Sequence, residues 1–272
     1  MWTGRTMSRA DPDEKLMGEM PLLRQQETVV RFIHHAKGHG KHCARSAVSH
    51  LHQAWALRTV DQEMAVLRAF TSEEEAASAV FHAIKRRKYR GADQLDQRSH
   101  IHKVAVRPFF QAVSEALSKV NVLEPMIEFD ESEAIPRILT RFTAPGPDGS
   151  LAWVSPEPPL HFGLSDGKLP YDFTRELERG CRIRGVKSSL DYVRKRANRR
   201  NQLLYASVHG VPKFAGDLER LVLEERDTTF NSLMVFLLID QYPEKQGFVQ
   251  QCLVAFLKML KRLPHGLESE SE

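Results

Sequence analysis

The chain has 272 residues, 42% of them hydrophobic, and its 39 Lys and Arg residues against 35 Asp and Glu residues give a formal charge of +4. A hydrophobic content near the globular norm argues against a disordered chain, and three unpatterned cysteines argue against a disulfide-stapled secreted scaffold. No apolar run reaches the ~18 residues of a membrane span, and the first residues lack the apolar core of a signal peptide. We therefore expect a folded cytoplasmic protein with no membrane partner.

Five helical segments are predicted in the first part of the chain, after a mobile lead-in over residues 1–20. In each segment apolar residues recur at steps of three and four. Asp61 is the predicted cap of one helix, and Thr71 and Ser72 each stand three residues before a glutamate, which is the capping-box spacing at the start of another. The run Glu73-Glu74-Glu75 is accordingly interpreted as a capping and dipole feature. The predicted helices are residues 21–35, a helix beginning near residue 42, residues 62–70, a helix beginning near residue 71, and residues 101–120, which Pro108 should delay or kink.

The pattern changes in the middle of the chain. Residues 126–129, 137–142 and 151–154 are rich in β-branched and aromatic residues and predict a small hairpin or three-stranded sheet, with a turn at 144–149 and a Pro- and Gly-rich loop at 155–169. Helices are predicted again at 173–183, 188–205, 214–240, with room for an interruption at 227–229, and 248–260. The fold class is mainly α, with helical blocks at 21–120 and 171–265 flanking a small β-containing segment at 121–170, and an acidic tail at 266–272.

Six of the 12 histidines lie between His34 and His52. Neutral imidazole is a common ligand of zinc and other transition metals, so a break between two helices carrying several histidines could close around an ion. The spacing favours the alternative, ordinary surface or helix-end histidines. There is no His-Glu-x-x-His motif and no cysteine pair, and a His-x-His pair on a helix would present one ligand because its side chains diverge. We expect no metal and no cofactor, and cysteines that serve in packing.

Two basic segments are candidates for binding nucleic acid. One begins at Lys85, and the other, residues 175–200, holds ten basic residues against three acidic ones for a local charge of +7. On a helix, residues four apart share a face, so the second segment predicts a basic stripe of the kind that neutralises phosphates. The alternative is a solvated amphipathic face, which most charge runs are. The candidate contacts are Lys85, Arg86, Arg87, Arg194, Lys195, Arg196, Arg199 and Arg200.

Three motifs follow one another between residues 44 and 110. An Ala-rich helical stretch ends in Ala54-Trp55-Ala56-Leu57, a helix start reads Glu74-Glu75-Ala76-Ala77, and His100-Ile101-His102-Lys103 comes later. This order resembles the HEPN superfamily of helical bundles, particularly members tied to abortive phage infection. Many HEPN proteins are metal-independent ribonucleases that use Arg-x(4 to 6)-His, and the segment from Arg45 to His50 fits that spacing.

The resemblance implies a catalytic pair. His50 would act as general acid or base on a ribose hydroxyl or leaving oxygen, while Arg45 would stabilise charge on the phosphate. Because residues five apart on a helix lie ~140° from each other, partner residues or a homodimer would have to complete the site. The leading prediction is therefore an RNA-binding protein of phage defence, with metal-independent RNA cleavage as a candidate activity. The alternative is a non-enzymatic helical module whose basic stripe meets an acidic protein.

Overall fold

The computed structural model describes residues 19–119, 126–131, 137–145, 150–183, 191–196, 198, 210 and 213–262. It confirms a mainly α fold with a small sheet. The helices are α1 (Arg24–Ile33), α2 (Gly38–Leu57), α3 (Gln62–Arg86), α4 (His100–Val104), α5 (Val106–Lys119), α6 (Thr174–Ile183), α7 (Leu218–Asp240) and α8 (Gly247–Lys261). Residues 191–196 are also helical. The strands are β1 (Met126–Asp130), β2 (Arg137–Pro145) and β3 (Leu151–Val154), with a hairpin of β4 (Ser165–Asp166) and β5 (Leu169–Pro170).

Helix α3 is the centre of the fold and packs against α2 on one side and α7 on the other. Alanines make this close packing possible, because a methyl group lets two helix backbones approach each other. The fully buried alanines of α2 and α3 include Ala44, Ala47, Ala54, Ala65, Ala69 and Ala76. Larger side chains fill the space around them, among them the fully buried Phe81 of α3 and Phe230 and Phe236 of α7.

Helix α3 is one continuous helix, so the predicted helix start near Thr71 is wrong. Asp61 does cap the helix as predicted, since its Oδ1 accepts the Met64 N–H at 3.0 Å. The Thr71 hydroxyl instead donates to the carbonyl of Leu67 in the preceding turn at 2.8 Å. The Ser72 hydroxyl lies 2.7 Å from that of Thr229 on α7. Neither hydroxyl is used to cap a helix, and no glycine or proline interrupts the stretch, so the helix continues.

Three other boundaries differ from the sequence pattern. Helix α2 begins at Gly38, whose φ of +68° suits a glycine, and includes Gly40, which the sequence placed in a break. The predicted helix over 101–120 is two helices, α4 and α5. Pro108 is the third residue of α5, where a missing N–H leaves no intrahelical bond unmade. Helix α7 has no interruption at 227–229.

The three strands pair antiparallel in the order β1–β2–β3, which confirms the three-stranded alternative. The sheet is attached to the helical bundle at Ile138 of β2, which is fully buried. Its N–H donates to Gln241 Oε1 at 2.9 Å, and its carbonyl accepts the Tyr242 hydroxyl at 2.9 Å. In the predicted loop, residues 165–166 and 169–170 form the short hairpin. None of the described helices combines the length and the apolar character needed to cross a bilayer.

Candidate functional site

The exposed face of α2 carries positive charge without any acidic residue. Over 20 residues the helix holds Lys41, Arg45 and four histidines, but no Asp or Glu. Its exposed positions include His42, Arg45, Ser49 and His52, whose steps of three and four place them on one face. The opposite face is buried against α3. An anion can therefore approach this helix without meeting a carboxylate of α2.

His50 lies at the edge of this face and contacts α3. It is half-buried, and its Nδ1 is 3.1 Å from Nη1 of Arg68. Burial, together with the charge of Arg68, lowers the pKa of His50 below its ordinary 6.5. Arginine can only donate, so Nδ1 accepts the hydrogen bond and the imidazole is neutral near pH 7.

Arg68 has a further donor available. Its Nε is buried and makes no hydrogen bond within the described part of the chain. A buried guanidinium N–H without a partner is costly, and a water or a bound group would satisfy it. The residue that meets His50 is thus Arg68, 18 positions along the sequence, and not Arg45, which is exposed on α2. The sequence pattern missed Arg68 because the pairing depends on how α2 and α3 pack.

The basic residues at the end of α3 hold the fold together. Arg86 donates to the carboxylate and to the carbonyl oxygen of Asp240, the latter at 2.8 Å, and Arg87 donates to the same carbonyl. Asp240 is the last residue of α7, where carbonyls lack intrahelical partners and cations are favoured. Lys85 is half-buried beside them. The guanidinium groups of Arg86 and Arg87 therefore already bind the C-terminal end of α7, and a bound anion would have to share them.

Among the residues that the structure describes, the predicted basic stripe is interrupted. Lys195 is exposed and pairs with Asp191 at 3.2 Å, and Arg194 is half-buried. The predicted surface position of Arg196 is wrong, because only 13% of its side chain is exposed and its guanidinium lies 4.2 Å from the ring centre of Phe70. Arg199 and Arg200 lie outside the described residues.

Arg196 belongs to a buried cluster of two arginines and two glutamates that the sequence analysis missed. Its Nη2 lies 2.5 Å from Glu73 and 2.6 Å from Glu225, and Nη1 of Arg107 lies 2.8 Å from Glu225 and 3.7 Å from Glu73. Each carboxylate has one buried oxygen with no hydrogen-bond partner among the described residues. The signal was present in the sequence, since Glu73 is four residues after Ala69 and continues the apolar stripe of α3.

The two carboxyl groups of this cluster have different pKa values. Burial, reinforced by the charge of Glu73, raises the pKa of Glu225 from 4.5 to about 7. At Glu73 burial acts in the same sense, but Arg196 and Arg107 outweigh it and lower the pKa. Glu225 therefore keeps its proton to a higher pH than Glu73, which is ionised beside the two arginines.

Two of the motifs that carry the HEPN resemblance contact each other. Glu74 is buried in α3, and its Oε2 lies 3.1 Å from Nζ of Lys103 and 2.7 Å from Nδ1 of His100. The capping role expected for the glutamate run is therefore wrong at Glu73 and Glu74, which sit in mid-helix and are ion-paired.

An apolar cavity of about 460 Å³ lies between α3, α5, α7 and α8. Its lining is mainly aliphatic and aromatic, and Arg107 at its border is already paired with Glu225. Within the described part of the chain the cavity therefore offers no unpaired charge to anchor an anionic substrate, unlike the face of α2.

No family model matches the chain, and neither the curated proteins nor the solved structures include a match.

Proposed function

We propose that this protein binds RNA along the exposed face of α2 and cleaves it without a metal, with His50 as the general base and Arg68 as the phosphate contact. The proposal depends on the contact between His50 and Arg68 beside a helix face that has no acidic residue. Arg45 on that face would contact a neighbouring phosphate. The HEPN resemblance supports the same chemistry.

The hydrogen bond between the two residues suggests how substrate would activate the base. While Arg68 donates to Nδ1, the lone pair of His50 cannot accept a proton. A phosphate oxygen forms a stronger, charge-assisted bond with the guanidinium, which would draw Arg68 away and release Nδ1. His50 would then take the proton of the ribose 2′-hydroxyl as the 2′ oxygen attacks phosphorus. The bond to the 5′ oxygen breaks, this oxygen takes a proton from water, and a 2′,3′-cyclic phosphate remains.

This scheme needs no second subunit to supply an arginine. The homodimer expected from the ~140° between Arg45 and His50 on one helix was required to bring a guanidinium to the imidazole. Arg68 of the same chain takes that position. A dimer remains compatible with the scheme, but its role would be to lengthen the RNA-binding face.

The test is a cleavage assay in EDTA with labelled structured RNA. His50→Ala should lower the rate by roughly 10²–10⁴-fold, the usual contribution of a general base, and Arg68→Ala should lower it as well. His161→Ala and Arg24→Ala are matched controls, because both residues are exposed and outside α2. Equal cleavage by wild type and His50→Ala would assign the activity to another site or a contaminant, and intact RNA with the wild type would rule out ribonuclease activity on that substrate.

RNA binding is measured separately from cleavage. Arg45→Ala should weaken binding at all RNA sequences and reduce the dependence of log affinity on log salt by about one, the effect of losing one phosphate contact. Lys195→Ala tests an exposed residue of the basic stripe in the same way. Affinity that does not fall between ~50 and ~200 mM salt would contradict a phosphate-binding face.

A second candidate is the non-enzymatic interaction module. In the basic stripe that this module would use, Arg196 is buried in the core, but the small sheet offers another surface. Met126 of β1 and Trp153 of β3 are 44% and 57% exposed. They lie on one face of the sheet, because they pair with Arg141 and Thr143, two residues apart on β2. Large apolar side chains grouped on one small element are typical of protein contacts. Two results together would favour this candidate over the first. The wild type would cleave no RNA, and Trp153→Ser would no longer bind a protein that the wild type binds.

A further inference from the structure

His39, Cys43 and His82 meet where α2 begins. His39 and Cys43 are one helical turn apart on α2, and His82 faces them from α3. One ligand atom from each residue lies within 4.8 Å of the other two. The rings of His39 and His82 are 4.4 Å apart between their centres. Cys43 is buried, His82 is half-buried and His39 is exposed, so an ion could enter from solvent and reach a sheltered thiol.

Gly40 explains why the two helices come this close. A Cβ atom at this position would lie 2.8 Å from Cε2 of Phe236 and 3.4 Å from Cβ of His82. The first turn of α2 therefore rests directly on α3 and α7 through a residue without a side chain. This contact brings the neighbouring His39 against His82.

The donor set indicates which ions fit. Two imidazole nitrogens and one thiolate sulfur suit zinc and similar transition metals, whereas magnesium and calcium prefer oxygen ligands. The amide nitrogen of Gln97 lies 3.1 Å from Nδ1 of His82. With the amide turned by 180°, its oxygen would accept from Nδ1–H and leave Nε2 for a metal. Hydrogen bonds of this kind orient histidine ligands in metal sites.

The nearby charges act in both directions. The carboxylate of Glu75 favours a cation near Cys43, while the ammonium group of Lys103 opposes one. Lys103 is partly neutralised, because it pairs with Glu74 at 3.1 Å. Water would complete the coordination of the ion, as in zinc sites with three protein ligands.

We propose that His39, Cys43 and His82 bind one Zn²⁺ ion and so connect α2 to α3. On binding, the Cys43 thiol releases its proton to solvent and the thiolate bonds to zinc, with no change of oxidation state. The proposal runs against the sequence-based expectation of no metal and of a merely packed Cys43. Spacing along the sequence does not reveal this set, because its third member, His82, comes from another helix. The site is independent of the proposed ribonuclease chemistry.

The test uses the untagged full-length protein, stripped of metal with EDTA, dialysed and titrated with Co²⁺ and then Zn²⁺. Co²⁺ should bind one per chain and show the near-ultraviolet charge-transfer absorption of a cobalt–thiolate bond, and Zn²⁺ should displace it. Cys43→Ser should abolish that absorption, while Cys252→Ser, a control at another described cysteine, should retain it. Gln97→Ala should weaken Zn²⁺ binding roughly 10–100-fold, and His39→Ala and His82→Ala should weaken it more.

Two results would overturn the proposal. One is Co²⁺ binding without a thiolate absorption band, or with a band that Cys43→Ser retains. The other is Zn²⁺ affinity that is equal in wild type, His39→Ala and His82→Ala, since the ion would then bind elsewhere on the histidine-rich surface. Far-ultraviolet circular dichroism of each metal-free variant shows whether the helices are intact. His39→Gln provides a second variant at the exposed ligand, where folding is least at risk.

Discussion

Replacing Glu225 with glutamine should change how the stability of this protein depends on pH. Folding raises the pKa of Glu225 from 4.5 to about 7. Between these values the folded protein holds a proton that the unfolded chain has already lost, so stability falls as pH rises through this range. Glutamine has nearly the shape of the protonated Glu225 side chain but cannot ionise. Glu225→Gln should therefore lack this loss.

The size of the effect follows from the two pKa values. The interval from 4.5 to about 7, at about 1.4 kcal/mol per pH unit, corresponds to about 3 kcal/mol. The partner carboxylate behaves in the opposite way, because folding lowers the pKa of Glu73. Its contribution to stability is therefore lost only as the pH falls below its ordinary pKa. The two groups therefore act in different pH ranges, and the stability of Glu225→Gln relative to wild type should rise by about 3 kcal/mol between about pH 5 and about pH 8.

The measurement is urea unfolding, followed by circular dichroism, at several pH values across this range. Histidines titrate in the same range, so the informative quantity is the difference between variant and wild type. Glu224→Gln is the matched control, because Glu224 is the preceding residue, 53% exposed, and paired only with Arg220 at the surface among the contacts of the described residues. It should change stability by less than about 1 kcal/mol at every pH. A constant difference between Glu225→Gln and wild type from low to high pH would refute the raised pKa of Glu225.

Three further outcomes are expected. Gly40→Ala should destabilise the protein, because the added methyl group would overlap Phe236. Overpacking costs about 1–3 kcal/mol, whereas the gain in helix propensity is about 1 kcal/mol. A net stabilisation of the variant in urea unfolding would contradict this prediction. Lys103→Met should cost about 3 kcal/mol, because it removes a buried partner of Glu74, and an unchanged unfolding midpoint would contradict it. Zn²⁺ at about 100 times its Kd should stabilise the wild type by about 2.7 kcal/mol, seen as a higher Tm, and should not stabilise Cys43→Ser.

The fold followed from the sequence wherever one local pattern dominated. The helical periodicity predicted α8, and the β-branched runs predicted β1, β2 and β3. The predicted ends of these elements lie within a few residues of the observed ends. The prediction that α3 would be two helices was wrong for a physical reason. Ser72 matched a cap motif, but in a continuous helix its hydroxyl bonds to Thr229 of α7. A motif of a few residues cannot register a partner 157 positions away.

The candidate site was less predictable than the fold because its residues come from different helices. His50 was identified from its spacing to Arg45, but the arginine that reaches it is Arg68 on α3. Arg196 was identified as basic, and its burial depends on two glutamates more than 25 positions away in sequence. Charge runs show which side chains are available, whereas helix packing determines which of them face solvent.

The two proposed sites lie along the same pair of helices but are too far apart to act together. Of the proposed zinc ligands on α2, Cys43 is nearer to His50 than His39 is, and it lies seven residues away, which at 1.5 Å per residue is about 10 Å along the helix axis. A zinc ion near His39 could not reach a phosphate held at His50. Cys43→Ser should therefore cleave RNA at the wild-type rate, and His50→Ala should bind Zn²⁺ as tightly as the wild type. If EDTA or Cys43→Ser stopped cleavage, the reaction would need the metal, and His50 with Arg68 could not be its complete catalytic site.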